Sequence, residues 1–500
     1  MRAAYILLTM ILILSVITAC GVKSGDTETS GIKNGDAPAS ESSAPADQYG
    51  RPLIASALPN DLNFNGETAS VLVRDKSNTF DYSREFIAEQ NGELMNDAVY
   101  LRNITVEEKL NVKFDFISTP YDPFGYNDKV IKSVMANDNI YNILPLNGYH
   151  GPKLAAEHYL YNILELPYIS FDKPWWSQDF INEITLYDQL YMIVGDVSLS
   201  GIQLTHALFF NKNMLAEYMG GINLYDAVEK GQWTIDYFNN IIKGVYSDLN
   251  GDGIRDDTDF YAFGIPTASV PIDAFLASMG LSITEKGADG LPRMAYVNDR
   301  SVSAYTKIYN LLHNNTGTLA GHYTLESIEL MRKKFVQSEI IFMIEGFSTT
   351  ENMRQMDDVY GVLPLFKYDE RQAGYYTNVA DIYSVFGVPI TCVNPDLMGA
   401  VLESLSETSY MITKPTYFEI TLKQKYLFDN IDAKMYDIVL AGNKYNFGFV
   451  YSNLIDNVLH LWRGLLDKQQ AEFVSAYEAS AEKYDKLLQD LIDKFAEWKK

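Results

Sequence analysis

The sequence predicts an α/β fold, on two observations. Short apolar strands alternate with helical patterns through the first part of the folded chain, and helical patterns dominate from Thr205 onward, ending in a long helix or helical pair. With 500 residues, 47% of them apolar, the chain can bury one large or two medium cores. Its formal net charge of -25 argues against nucleic acid or an anionic membrane surface as the partner.

The N-terminus sets the compartment. Met1-Arg2 gives a short basic start, and Tyr5 to Val16 is an apolar run too short for a membrane span. Residues 1–19 therefore read as a secretory signal peptide. It ends in Ile17-Thr18-Ala19-Cys20-Gly21, which resembles the bacterial lipobox, so Cys20 is expected to carry a diacylglycerol and become the mature N-terminus. That places the protein on the outer face of the cell membrane, touching it through the lipid alone. From Cys20 to about Asp61 the chain is rich in Ser, Thr, Gly, Ala, Pro and acids and almost free of aromatic side chains. Such a stretch cannot bury enough apolar surface to offset its ordering entropy, and residues 20–61 read as a flexible tether.

The folded body is expected from Leu62. Ala69–Val73, Val112–Phe116 and Tyr141–Leu146 have strand character, with helical spacing over Asn96–Leu110 and about Asp128–Ala136. This alternation implies a mainly parallel sheet with ligands at the carboxyl ends of its strands, which favours the loop Asn147–Gly151. Ile340–Ile344 and Tyr360–Pro364 are further short strands. Near the C-terminus Phe473, Tyr477, Tyr484, Leu487, Leu488, Leu491 and Phe495 recur at helical intervals, a packing stripe.

Cysteine chemistry is confined to Cys20, because the only other cysteine, Cys392, sits in an apolar stretch and reads as a small core side chain. The six histidines lack the i, i+4 spacing of a helical zinc site. One segment does carry metal chemistry. Asp248, Asn250 and Asp252 occupy the first, third and fifth places of a twelve-residue calcium loop, and Gly253 supplies the sixth-place turn. Ile254 would offer its carbonyl, Asp256 the ninth-place ligand and Asp259 the closing carboxylate, where an EF-hand has a bidentate Glu. A structural Ca2+ is therefore expected at residues 248–259, with modest affinity. The alternative is an Asx-rich turn without metal.

Six segments, in order and spacing, resemble the long, family 1, carbohydrate-type extracellular solute-binding lipoproteins of Gram-positive bacteria. They are Leu146–Gly151, Lys173-Pro174-Trp175-Trp176, Leu190–Asp196, Leu208–Lys212, Gly231-Gln232-Trp233-Thr234, and the calcium loop running into Tyr261–Gly264. The resemblance implies a two-lobed periplasmic-binding-protein fold of the second type, with hinge crossings between lobes and a long helical C-terminus. It implies lobe 1 over 62–197, lobe 2 over 198–382 with the calcium loop, a return to lobe 1 over 383–440, and C-terminal helices over 441–500 packing on lobe 2. The crossings would fall near Val197–Ser200 and Asp381–Ser384, with one more before the C-terminal helices.

It also implies function: an extracytoplasmic receptor that captures a carbohydrate, an oligosaccharide by expectation, and delivers it to the permease subunits of an ABC transporter as a monomer. A sugar site needs aromatic faces against the ring and polar groups for its hydroxyls, and the 35 tyrosines suit both. The ligand-binding candidates are Asn147, Tyr149, Asp196, Ser198, Glu345, Phe347, Asp381 and Tyr383. Trp175, Trp176, Trp233, Trp462 and Trp498 are read as packing, with Thr234 an N-cap. A surface carbohydrate-active enzyme would need two facing carboxylates, and the chain has no Gly-x-Ser-x-Gly, His-Glu-x-x-His or phosphate-binding glycine loop. No enzymatic activity is expected. A peptide or other-solute receptor, or a sensor on the same fold, is the remaining alternative.

Overall fold

The computed structural model of the chain describes residues 53–267, 270–322, 324–423 and 430–499. The expected signal peptide and Cys20, its expected lipidation site, lie outside these residues. Among the described residues no helix is long and apolar enough to cross a membrane. The compact body begins at Ala55, earlier than the sequence suggests. Ser56 Oγ donates to Glu407 at 2.7 Å and accepts from Lys109 Nζ at 2.9 Å, and Leu58 is buried. These contacts come from distant helices, which is why composition alone extended the tether to Asp61.

Lobe 1 starts with β1 (Glu67–Arg74), α1 (Leu94–Leu110), β2 (Val112–Thr119), α2 (Pro123–Ala136) and β3 (Leu144–Asn147). The helices start where their sequence can satisfy free amides: Glu93 accepts from Met95 and Asn96, while Asp122 caps α2 with Pro123 in the first turn. Both end on an asparagine in the left-handed region, Asn111 and Asn137. β1 and β2 pair in parallel from Glu67–Val112 to Arg74–Thr119, and Val71 bridges Ile143 in the same sense.

The chain then passes through the short α3 (Leu199–Gln203) into lobe 2 at β4 (His206–Asn211). Next come β5 (Tyr246–Ser247), β6 (Phe260–Pro266), α4 (Val270–Ser278), the hairpin β7 (Thr284–Lys286) and β8 (Pro292–Met294), β9 (Thr318–Gly321), α5 (Leu325–Val336), β10 (Ile340–Gly346) and β11 (Tyr360–Leu363). The sheet order is β11-β4-β10-β6-β5, with β9 also on β6. β6 runs parallel to β10 and β9, whereas β4 is antiparallel to both β10 and β11. After the second crossing β12 (Ser384–Gly387) pairs antiparallel with β3. The expected mainly parallel sheet is thus a mixed one. Strands that enter from the other lobe are not bound by the helical crossover that keeps βαβ neighbours parallel.

α6 (Pro395–Met411) and α7 (Thr413–Lys423) pack on α1, whereas α8 (Asn430–Ala441) packs on β11. The return to lobe 1 expected over 383–440 therefore ends before α8. Buried Asp432 holds that helix to lobe 2, accepting from Lys212 at 2.7 Å and Tyr225 at 2.5 Å. α9 (Leu461–Asp467) packs on α4, and α10 (Ala481–Glu497) packs on β8, as expected for lobe 2. The end of the chain also reaches lobe 1: Phe495 lies 5.7 Å from Tyr191 and Trp498 lies 4.5 Å from His158, ring to ring.

The tryptophans are packing residues, and three of them place their N–H on a buried acceptor, whereas the buried Trp462 N–H has none. Trp233 donates to Pro364 O at 2.9 Å, and Trp175 and Trp176 share the buried carboxylate of Glu403 at 3.2 and 2.8 Å. Burial pushes the Glu403 carboxyl up, against the two indoles. A second buried carboxylate joins the crossings. Glu85 accepts from the Ser200 amide at 2.8 Å and the Ser200 hydroxyl at 2.7 Å, while its other oxygen accepts from Ser384 Oγ. Arg74 Nη2 donates to the same Ser384 Oγ at 2.6 Å. Removing the charge while keeping the shape, Glu85→Gln, turns one acceptor into a donor facing Ser384. It is expected to lower unfolding free energy by about 1–3 kcal/mol in urea titrations, and a variant as stable as the parent would mean the clamp contributes nothing.

Candidate functional site

Between the lobes lies a cavity of about 460 Å³, within the range of small-molecule sites. Lobe 1 supplies the loop after β1, Lys76 to Phe80, and Tyr121 just after β2. Lobe 2 supplies His206 at the start of β4, Arg332 on α5 and Glu345 near the end of β10. Ala380 and Ile382 come from the second crossing. A neighbouring hollow of about 350 Å³ shares Lys76, Phe80 and Arg332 with it, so the cleft continues along the lobe boundary.

The aromatic wall is built from behind. Tyr121 stacks on Tyr82 at 5.4 Å with rings 4° apart, Phe80 abuts Tyr82 at 4.9 Å, and the Arg74 guanidinium lies 3.9 Å over the Tyr82 ring. Burial raises the Tyr121 hydroxyl pKa, which keeps it a neutral donor or acceptor. On the opposite wall Arg332 donates to Glu345 at 3.1 Å and to Glu329 at 2.7 Å, and the second Glu345 oxygen accepts from the Gly346 amide. The cleft thus offers an aromatic side, aliphatic patches at Leu204 and Ile328, and hydrogen-bonding groups across from them.

Beside the cleft a charged cluster joins both lobes to the C-terminal segment. Arg463 on α9 donates to both oxygens of Asp273 on α4, through Nε at 2.7 Å and through Nη2, and also to Asp381 at 3.0 Å. His460 Nε2 stands 3.6 Å from Asp381 and its ring stacks 5.1 Å from Tyr149 of lobe 1. Burial works against ionising Asp381, but Arg463 and His460 outweigh it and hold the carboxyl down at about 2. The deeper Asp273 loses more solvation and is pushed up despite the same guanidinium.

Of the expected ligand residues, the structure brings only Glu345 to the wall of the main cleft. Phe347 is 0% exposed and packs on Tyr436 at 4.7 Å, because it opens the 3-10 turn that follows β10 and is turned into the core. Asn147 is a loop brace: its Oδ1 accepts from the Tyr149 and His150 amides, each at 3.0 Å. Tyr149 is covered by the chain itself, stacked on His460 and bonded to Asn457, with burial and then Asp381 pushing its hydroxyl up to about 12. Asp381 and Tyr383 line a separate hollow of about 30 Å³, room for little more than a water. Asp196, paired with Lys414 at 2.8 Å, and Ser198, which caps α3, line another hollow of about 280 Å³.

The 248–259 loop has its glycines where the pattern requires them, Gly251 and Gly253 at φ 74° and 73°. Its oxygens, however, close the loop by hydrogen bonds. Asp248 accepts from the Gly251 and Gly253 amides at 2.6 and 2.9 Å, Asn250 from Asp252 at 2.9 Å, Asp252 from the Ile254 amide at 2.7 Å, and Asp256 from Thr258 at 2.9 Å. Buried Asp259 accepts from Tyr246 Oη at 2.8 Å and the Asp256 amide at 3.1 Å. Among the described residues no three Asp, Glu, His or Cys side chains gather closely enough to hold a metal. In this arrangement the expected ligands are engaged with the loop's own amides rather than gathered round one point.

Lys76, Phe80 and Tyr121 were accessible to sequence reasoning. They follow the carboxyl ends of the first two strands, where the rule applied above to the third strand alone would have put them. His206 and Arg332 carry no such signal.

No family model matches the chain. No curated protein matches it either. Among solved structures it is similar to UspC of Mycobacterium tuberculosis, with a TM-score of 0.55 at 12% identity over 84% of this chain and 100% of that one. It is similar to the GacH receptor of Streptomyces glaucescens, solved unliganded and with acarbose, at 0.52 and 13% over 85% and 99%. The sugar-binding protein MalE of Xanthomonas citri gives 0.54 and 11% over 86% and 98%. At these identities the likeness establishes the fold: a two-lobed, maltose-binding-protein-like, type II periplasmic-binding-protein architecture.

Replacing Arg463 with Met leaves Asp273 and Asp381 without their shared cation. Unfolding free energy is expected to fall by about 3–5 kcal/mol, and adding Asp273→Asn to recover part of it. Denaturant titration of the single and double variants checks both, and additive losses would break the proposed coupling.

Proposed function

We propose that this protein is an extracytoplasmic substrate-binding protein that captures a carbohydrate between its lobes for an ABC transporter. The observation that carries the reading is the cleft itself, with Phe80 and Tyr121 on one lobe facing Arg332, Glu345 and His206 on the other. Aromatic faces suit the C–H side of a sugar ring, and convergent polar groups suit its hydroxyls. Proteins of this fold that the chain resembles include a receptor solved with acarbose and one described as sugar-binding. Glu345 is the one carboxylate among the main cleft's lining residues, and it is committed to Arg332. That favours binding over glycoside hydrolysis, which uses two facing carboxyl groups.

The anchor and the partners belong to the same proposal. A lipid on Cys20 would hold a monomeric receptor on the outer face of the cell membrane, within reach of the permease subunits. Calcium at residues 248–259 is a separate proposal supported by the oxygen pattern of the sequence alone. Binding would have to draw Asp248, Asp252 and Asp256 together from their described hydrogen bonds.

A thermal-shift screen of the protein from Gly21 onward, against mono- and oligosaccharides, peptides and amino acids, tests the receptor reading. A saccharide class is expected to raise the melting temperature in a concentration-dependent way and to be recovered intact. A response to peptides alone would overturn the ligand class, and consumption of the sugar would make the protein an enzyme. In the same assay calcium is expected to add about 2–4 °C, reversed by chelator and absent in Asp252→Ala. Indifference to both calcium and chelator would remove the metal.

A further inference from the structure

His206 is held from one edge of its ring. Its Nδ1 faces two oxygens of Asn378, the backbone carbonyl at 3.3 Å and the side-chain Oδ1 at 3.1 Å. A backbone carbonyl only accepts, so Nδ1 carries the proton of the neutral ring and Nε2 keeps a lone pair. Nε2 is not among the sealed, unpartnered atoms of the core, and the cavity that His206 lines is the cleft. A free acceptor therefore opens on the site.

The guanidinium that lines the same cleft is already engaged. Arg332 gives Nη1 to Glu329 and Nη2 to Glu345, so its fork is divided between two carboxylates. Lys76, the cation on the lobe 1 lip, is exposed, and water and salt screen it. An anionic ligand group on the lobe 2 wall would meet the His206 lone pair and the Glu345 carboxylate. A hydroxyl would find an acceptor in each.

Resting on the receptor reading above, we propose that the cleft selects an uncharged polyhydroxyl ligand: His206 Nε2 accepts a hydroxyl proton from it, and Glu345, by occupying Arg332, denies the guanidinium to an anionic one. The groups facing the ring are Glu345 from β10, Asn378 from the second crossing and, farther off, Asp273 from α4, with Arg332 on the same lobe 2 wall and Lys76 across the cleft. Burial lowers the imidazole below its ordinary 6.5, against the pull of Glu345 and Asn378. The lone pair is thus fully present at neutral pH and is lost as pH falls through a value under 6.5. Ligand affinity falls with it.

Calorimetric titration of the whole protein with neutral gluco-, galacto- and manno-oligosaccharides, and with oligoglucuronate and oligogalacturonate, tests this. The parent is expected to bind a neutral oligosaccharide at least about tenfold more tightly than any uronate, and to lose affinity progressively as pH falls below 6.5. His206→Gln keeps an acceptor that does not titrate, so binding persists with a flat pH profile. His206→Phe loses about tenfold, one hydrogen bond to a buried acceptor. Glu345→Gln removes the negative charge paired with Arg332 and narrows the neutral-to-uronate ratio. Equal affinity for neutral and acidic sugars, a pH dependence that survives in His206→Gln, or an unchanged ratio in Glu345→Gln each overturns the inference; the last two hold even if His206→Phe does not fold. Failure of every saccharide to bind overturns the receptor reading and this inference together, whereas binding that ignores His206 and Glu345 overturns the inference alone.

Discussion

A buried carboxylate organises the boundary between the lobes. Glu85 is almost wholly enclosed, and its two oxygens reach Ser200 on the first crossing and Ser384 on the second. An ionised group in such a place is tolerated only when its lone pairs are met, and here the crossings themselves supply the donors. The two connections are therefore tied to one point of lobe 1 rather than left to find their own spacing. Arg74 completes the arrangement from β1, bonding Ser384 on one side and lying over Tyr82 on the other. Because Tyr82 backs Tyr121, the hinge clamp and the aromatic wall of the cleft are consecutive layers of one packed unit.

The other side of the boundary is governed by a shared guanidinium. Arg463 comes from the C-terminal segment, Asp273 from lobe 2 and Asp381 from the second crossing. Burial outweighs the guanidinium at the deeper Asp273, which is pushed up, whereas at Asp381 Arg463 and His460 outweigh burial and hold the carboxyl at about 2. Tyr149 and His460 extend the cluster to lobe 1, and Phe495 and Trp498 reach lobe 1 again near Tyr191. The C-terminal helices are thus more than cover for lobe 2. They bridge the boundary beside the cleft.

Which parts of this were legible in the sequence follows from the range of the interactions. β1, α1, β2 and α2 were visible because each is specified locally, by periodicity, by caps such as Asp122 and by turn-forming Asn111 and Asn137. The packing role of the tryptophans was legible for the same reason. The cleft was not. Tyr149 sits at a strand end, as ligand residues do, yet a segment three hundred residues later in the chain fills the space before it. Phe347 follows Glu345 by two positions, and strand alternation would put both on one face; β10 ends at Gly346, and the 3-10 turn that opens at Phe347 sends its ring into the core instead. Composition also stretched the tether to Asp61, since nothing local announces that Ser56 meets Glu407.

The division of the cleft between lobes has a consequence for how binding and shape are linked. Phe80 and Tyr121 belong to lobe 1, while His206, Arg332 and Glu345 belong to lobe 2. A ligand touching both walls gains its full interaction only when the lobes are together, so its binding favours that arrangement by the difference in affinity between the two states and by no more. A ligand meeting one wall alone would bind without shifting the lobes. The contacts that hold the lobes without ligand, at Glu85 and Arg463, therefore set the starting point of that equilibrium, and the cross-cleft contacts of the ligand set how far it moves.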